Sequence, residues 1–136
     1  MPCLSNKRCE MSGKRYLFDT NAIVALLKGH KELVSLAHGA EFIGISVISR
    51  LEFFAFSGLV EADKEMFDLF VKRVHVIDLS MRDISLLNTI SEIRMKSSLK
   101  LPDAIVAASA LSVGAVLVTA DVKLSNFTKD VLLFKP

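Results

Sequence analysis

The chain has 136 residues, the length of one domain, and its 51% hydrophobic and 24% charged content excludes a disordered chain. Six glycines and three prolines exclude collagen-like or linker-rich sequence, and a chain of this length buries about two thirds of its unfolded surface without needing disulfides or metal. Seventeen basic against 15 acidic residues leave a net charge of +2, which on its own argues against a nucleic-acid binder, since such domains are usually strongly basic.

Cys3 and Cys9 both lie in the first ten residues, so they build no disulfide framework and no zinc site, and a reducing cytoplasm is expected. Lys7, Arg8 and Glu10 fall where a signal peptide would need an apolar stretch. Patterned sequence begins near Lys14, so residues 1–13 are expected to be a poorly structured tail, with Met11 as an alternative start, and residues 14–136 the folded domain.

Arg15–Phe18 is an apolar, aromatic run and predicts a strand. Asp19-Thr20-Asn21 favours a helix start, with a helix over Ala22–Lys28 stopped by Gly29 and a second over Lys31–His38 closed by Gly39. Phe42–Ser46 predicts a second strand, and Ser46 opens a helix running to about Phe56. Glu61–Arg73 reads as an amphipathic helix with Met66, Phe67, Leu69 and Phe70 on its apolar side, and Val74–Leu79 as a third strand. Ser80 is the expected cap of a long helix from Met81 to Ser97, with Ile84, Leu87, Ile90, Ile93 and Met95 inward. Leu101-Pro102-Asp103 starts another helix, Ala115–Ala120 predicts a fourth strand and Val131–Phe134 a brief fifth.

From Ala104 to Ala120 no residue is charged, but a membrane span needs about 20 apolar residues and this run holds Ser109, Ser112, Gly114 and Thr119. It reads as a buried helix, a glycine turn and a buried strand, and no membrane association is expected. Strands alternating with helices, and strands apolar throughout, predict an α/β fold with a central parallel sheet of four to five strands covered on both faces, a three-layer α/β/α arrangement. In such sheets ligands bind at the carboxyl ends of the strands.

The acids fall on that edge. Asp19 follows strand one and Asp121 follows strand four; Glu52 lies in the helix after strand two, and Asp103 starts the helix that leads into strand four. Neighbouring strands are about 4.8 Å apart, so if strands one and four pair, both aspartates face one small pocket and Glu52 and Asp103 lean in beside them. Four carboxylates in one pocket repel each other unless protonated or bridged by a cation. Oxygen-only donors without His or Cys point to Mg²⁺ or Mn²⁺ rather than zinc, and such a site suits phosphodiester hydrolysis.

Tyr16-Leu17-Phe18-Asp19-Thr20-Asn21, Ile45–Glu52, Leu101–Ala110 and Leu117-Val118-Thr119-Ala120-Asp121 resemble, in this order and spacing, the PIN-domain nucleases, and more narrowly the VapC toxins of toxin–antitoxin pairs. The resemblance runs from about Lys14 to Phe134. It implies a PIN-like fold, a Mg²⁺-dependent endoribonuclease, a VapB-type antitoxin partner and a homodimer. The family's acidic quartet maps onto Asp19, Glu52, Asp103 and Asp121, and its neighbouring polar positions map onto Asn21, Ser46 and Thr119. On this reading Asp19 and Asp103 bind the principal ion, Asp121 completes the site and Glu52 holds the attacking water. Two departures stand out: this chain carries an extra stretch before Lys14, and Leu124 occupies the place where the family usually has an aromatic, Phe127 coming later. With the four assigned acids removed from the 15, 17 basic residues face 11 acids, a more basic balance for RNA than the total implies.

Ordinary roles are open to each residue. Asp19 and Ser46 fit helix caps, Asp103 a first-turn acid favoured by the helix dipole, Asp121 a turn acid, and Asn21 and Thr119 partners of backbone groups. Glu52, among Leu51, Phe53 and Phe54, is the hardest to explain without a partner. Arg94, Lys96 and Lys100 precede Asp103 and are candidates to hold RNA phosphates; Lys72-Arg73 forms a second basic group. His30, His38 and His75 have no ligand spacing and read as surface or strand-edge residues. Phe53, Phe54 and Phe56 with Leu51, Leu59 and Val60 make a helix apolar nearly all round, for which a partner surface is a natural cover. A different class of function remains open, a catalytically inactive module that binds an antitoxin or RNA without cutting. A phosphate-receiver domain fits poorly, because Phe18 and Thr20, not acids, flank Asp19.

Overall fold

The computed structural model describes residues 14–127 and 130–136; the expected tail, with Cys3 and Cys9, lies outside the described residues. Strand β1 (Arg15–Phe18) leads into α1 (Thr20–Leu27) and α2 (Lys31–His38), then β2 (Phe42–Ser46), α3 (Val47–Phe54) and α4 (Glu61–Val71). The chain continues through β3 (His75–Ile77), α5 (Ile84–Lys96), α6 (Leu101–Ser112), β4 (Val116–Thr119), α7 (Val122–Phe127) and β5 (Val131–Leu133). All five strands are parallel, in the order β3-β2-β1-β4-β5. The sheet grows outward from β1 in both directions, so the switch in strand order lies between β1 and β4, where a ligand crevice is expected.

The alternation of side chains along a strand builds two cores. Leu17 and Leu117 point to the layer of α5, α6 and α7, packing with Leu86, Ile90, Ile93, Val106 and Leu124. Their neighbours Phe18 and Val118 point to the other layer, with Ile23, Leu33, Ile45, Phe53 and Phe67. This is the three-layer arrangement expected. The uncharged run is the helix, turn and strand that its composition predicts: Ala104–Ala110 are buried, Gly114 turns the chain at φ +62°, and β4 enters the sheet. No helix among the described residues is long and apolar enough to cross a membrane.

Several element boundaries differ from the sequence expectation. Helix α5 starts at Ile84, capped by Asp83, whose Oδ1 accepts the Leu86 N–H at 3.1 Å; Ser80 instead accepts the Arg82 N–H. Its inward face is Leu86, Ile90 and Ile93, while Ile84 and Met95 are exposed. The reason is geometric: residues spaced 4 and 3 apart keep to one helical face, whereas a run of 3-spaced residues drifts around the helix. Strand β3 is only three residues long at the sheet edge, and α1 starts at Thr20 because Asp19 is itself the cap. Helix α7 was not expected at all. It forms because the Asp121 Oδ1 and carbonyl accept the N–H groups of Lys123 and Leu124, and Leu124 is fully buried.

Of the histidines, His38 and His75 are exposed, the latter stacked on Phe42 at 4.9 Å. His30 is not a plain surface residue. It caps α2, its second ring nitrogen lies 2.7 Å from the Lys135 carbonyl, and its ring meets Phe134 edge-on.

Helix α3 is only partly covered. Phe53 is buried, stacked on Phe67 at 4.4 Å, and Phe54 meets Phe67 edge-on at 5.4 Å; Leu51, Phe56 and Val60 stay exposed. Phe67 is the sole fully buried side chain of α4, so Phe67→Ala should cost about 3–5 kcal/mol. Urea unfolding followed by circular dichroism checks this; an unchanged midpoint would mean that the aromatic cluster is not holding α4 to the sheet.

Candidate active site

The site begins with sheet register. Phe18 lies opposite Val118, so the residues that follow, Asp19 and Thr119, emerge side by side at the carboxyl edge. The Asp19 N–H donates to the Val118 carbonyl at 2.9 Å, carrying the ladder one residue past the strand. The Asp19 side chain is buried and hydrogen-bonded through both oxygens. Its Oδ1 accepts the Thr20 N–H at 2.8 Å, and its Oδ2 accepts the Thr119 hydroxyl at 2.8 Å and the Asn21 amide at 3.4 Å.

Thr119 and Asn21 tie this carboxylate to the chain beyond β4. The Thr119 oxygen accepts the Asp121 N–H at 3.0 Å, and the Asn21 Oδ1 accepts the Ala120 N–H at 3.1 Å. Thr20 does the same for Glu52: its hydroxyl donates to Glu52 Oε1 at 2.6 Å across two helices. Asp103, in the first turn of α6, is half-buried. Ser46 is fully buried, and its oxygen accepts the Ile48 N–H at 3.2 Å, which is the capping role. Of the three supporting polar residues, Asn21 and Thr119 therefore reach an acid of the quartet and Ser46 caps α3.

Asp19 and Asp103 feel their acidic neighbours. Burial pushes the Asp19 carboxyl up to about 6, with Asp103 and Glu52 adding to the rise and the hydrogen bonds from Thr119 and Thr20 opposing it. The Asp103 carboxyl is also raised, by burial first and then by Asp121 and Glu52, while Lys123 and Lys100 draw it back. A buried acid beside two other acids ionises at a cost that an arriving positive charge would offset.

That need fits a divalent cation. Among the described residues no three His, Cys, Asp or Glu side chains already converge to hold one ion. Mg²⁺ does not require such a cage: it keeps several waters and binds through one or two carboxylates plus substrate phosphate oxygens. The donors are carboxylate oxygens only, the set that suits Mg²⁺ or Mn²⁺.

Sequence reasoning missed two residues of this region. Thr20 reads in sequence only as part of a helix start, and nothing links it to Glu52 before α1 and α3 pack. Lys123 acquires its place beside Asp103 only through α7. Arg94 and Lys96 are exposed in the last turn of α5, and Lys100 is exposed at the cap of α6.

A family model described as PIN domain matches residues 16–130. Among solved structures, the chain is similar to a toxin–antitoxin complex from Klebsiella pneumoniae (TM-score 0.71, 24% identity, covering 86% of this chain and 95% of that one). It is also similar to VapBC2 from Rickettsia felis bound to a DNA fragment from their promoter (TM-score 0.69, 23% identity, covering 88% and 96%). A third is DNA-bound VapBC from Salmonella typhimurium (TM-score 0.61, 20% identity, covering 88% and 96%). At these identities the likeness establishes the fold. Comparison with curated protein sequences returns no match.

Proposed function

The chain belongs to the PIN-domain family, and from that premise we propose that it is a Mg²⁺-dependent endoribonuclease, the toxin of a VapBC-type toxin–antitoxin pair. The observation that carries the proposal is the buried Asp19, held by Thr20, Asn21 and Thr119 and raised in pKa beside Asp103 and Glu52. A group so placed is poor at stabilising the fold and well suited to bind a cation.

In this reading Asp19 and Asp103 hold the principal ion, Mg²⁺ or Mn²⁺, and Asp121 completes the site. When bound, the ion polarises the phosphoryl oxygen, lowers the pKa of the attacking water and steadies the leaving oxygen. Glu52, with Oε1 fixed by Thr20, keeps Oε2 free to orient that water and accept its proton. Thr119 and Asn21 keep the Asp19 carboxylate in one orientation. Arg94, Lys96 and Lys100 take RNA phosphates, and Lys100 also offsets the charge of Asp103. The protein works in the cytoplasm as a homodimer until a VapB-like antitoxin silences it, and the exposed Leu51, Phe56 and Val60 supply apolar area for such contacts.

If Thr20 positions Glu52, Thr20→Val lowers kcat by about tenfold with KM unchanged, the effect of losing one hydrogen bond to a charged group, and Thr20→Ser restores the rate. Steady-state cleavage of a labelled RNA separates the two constants, and an equal loss in Thr20→Ser would assign Thr20 to packing instead.

Brief induction of the chain in cells, followed by mapping of new RNA ends, tests the function. Discrete new ends in the wild type that are absent with Asp19→Asn are expected. RNA retained by the protein with no new ends would favour the inactive binding module.

A further inference from the structure

Lys123 has no role in the quartet, yet it stands in the first turn of α7, two residues after Asp121. It also lines an open cleft of about 520 Å³ between the α5–α6 connection and α7, with Lys96, Ser97, Ser98, Asn126 and Phe127. None of the four acids lines the cleft; Lys123 joins it to the segment that follows β4 and carries Asp121. Its composition is uneven in a particular way. Two exposed ammonium groups stand at it, uncharged hydrogen-bonding groups line it, and one half-buried aromatic ring contributes to its wall.

We propose that this cleft binds the stretch of single-stranded RNA adjoining the scissile phosphate. Lys96 and Lys123 take successive backbone phosphates, and Phe127 offers a ring on which a base stacks. Stacking on an aromatic side chain, combined with a basic track for the backbone, is the general way proteins hold single strands. A duplex offers no unstacked base to such a ring. Ser98 and Asn126 supply donors and acceptors for sugar hydroxyls and base edges, while the Ser97 hydroxyl is taken up by the Ile93 carbonyl and the Leu99 N–H. An acidic peptide would satisfy the lysines but leave the ring without a role. The identity of the strand as substrate rests on the nuclease reading; the cleft itself does not.

The test is binding of a fluorescently labelled single-stranded RNA oligonucleotide to the full chain by anisotropy, in EDTA so that nothing is cut, over a range of salt. For single strands log K falls with log salt with a slope of about −0.7 per phosphate contact. Lys96→Ala/Lys123→Ala should weaken binding at least about tenfold at low salt and make the slope shallower by about 1.4. Phe127→Leu, which keeps an apolar side chain against the core, should weaken binding at least about fivefold with the slope unchanged. Lys72→Ala/Arg73→Ala is the matched control, because those residues precede β3 at the opposite, amino edge of the sheet.

Wild-type affinity and slope in the cleft variants, or an equal loss in the control, would overturn the proposal. So would displacement of the RNA by polyglutamate at equal charge concentration. The two readings fail separately: cleavage in Mg²⁺ by a protein whose cleft variants bind normally removes the cleft alone. Cleft-dependent binding without any cleavage removes the nuclease.

Discussion

Asp19→Asn abolishes RNA cleavage, by at least about 10³-fold or about 4 kcal/mol in the barrier, and makes the cation-free protein more stable rather than less. The activity loss follows from removing the carboxylate at the centre of the cluster. The stability gain follows from the same burial. Raising the Asp19 carboxyl from 3.8 to about 6 sets a ceiling of about 3 kcal/mol on the cost of ionising it at neutral pH. Asparagine escapes that cost and keeps the local structure. It is as good an N-cap as aspartate, so its oxygen still takes the Thr20 N–H, and its amide can donate to the Thr119 oxygen. Part of the gain is lost to poorer hydrogen bonds, so a net increase of about 1–2 kcal/mol is expected at pH 7.5 in EDTA, a melting rise of about 3–7 °C. A variant that is both inactive and destabilised would mean that Asp19 is a structural cap.

Chelation should abolish cleavage to the same extent, and the effect of Mg²⁺ on stability is expected to depend on pH with a definite sign. The Asp19 carboxyl is raised in the folded state, so between about pH 4 and 6 the native protein keeps a proton that the unfolded chain has released. In the cation-free protein this group therefore contributes a loss of stability that grows as pH rises through about 6, and that is absent below about 4. Saturating Mg²⁺ cancels the loss. The melting temperature in Mg²⁺ minus that in EDTA should be several degrees at pH 7.5 and near zero at pH 5, where the proton occupies the carboxyl instead. Cleavage should fall over the same range as pH drops below 6. Differential scanning fluorimetry at the two pH values reads the first effect. A Mg²⁺ shift equal at both would disconnect the cation from Asp19.

The alternation of strands and helices and the strand ends that carry the acids were legible because they rest on patterns that local sequence records, whereas the pairing of β1 with β4 entered only as a condition. Leu17 and Phe18 in β1 and Val116, Leu117 and Val118 in β4 are apolar on both faces, Gly114 separates helix from strand, Asp19 follows β1, Asp121 follows β4, and β2 ends on the cap Ser46. What the sequence concealed depends on tertiary contact. Thr20 and Glu52 lie 32 residues apart and meet only because α1 packs on α3. Helix α7 is six residues long, too short for a periodic signal, and its start is written in the hydrogen bonds of Asp121 rather than in composition. Without α7, Lys123 has no place near Asp103 and the cleft beside it does not exist. Ser46 illustrates the reverse: its position at a strand end suited both a site role and a cap, and its contact with the Ile48 N–H is the capping one. Helix α5 turns Leu87, Ile90 and Ile93 inward as expected and adds Leu86, while Ile84 and Met95 lie off that face, where local spacing alone does not separate them. The charge argument also changes with the site in view. A net charge of +2 counts four acids assigned to one edge, and Lys100 and Lys123 bring positive charge to bear on Asp103 there.

The most direct measurement is a calorimetric titration of Mn²⁺ into the wild type, Asp19→Asn and Asp103→Asn at pH 7.5. A saturable wild-type heat that is lost, or weakened at least about tenfold, in both variants is the predicted result. Equal heats in all three proteins, or no binding by the wild type, would contradict a cation site built on these carboxylates.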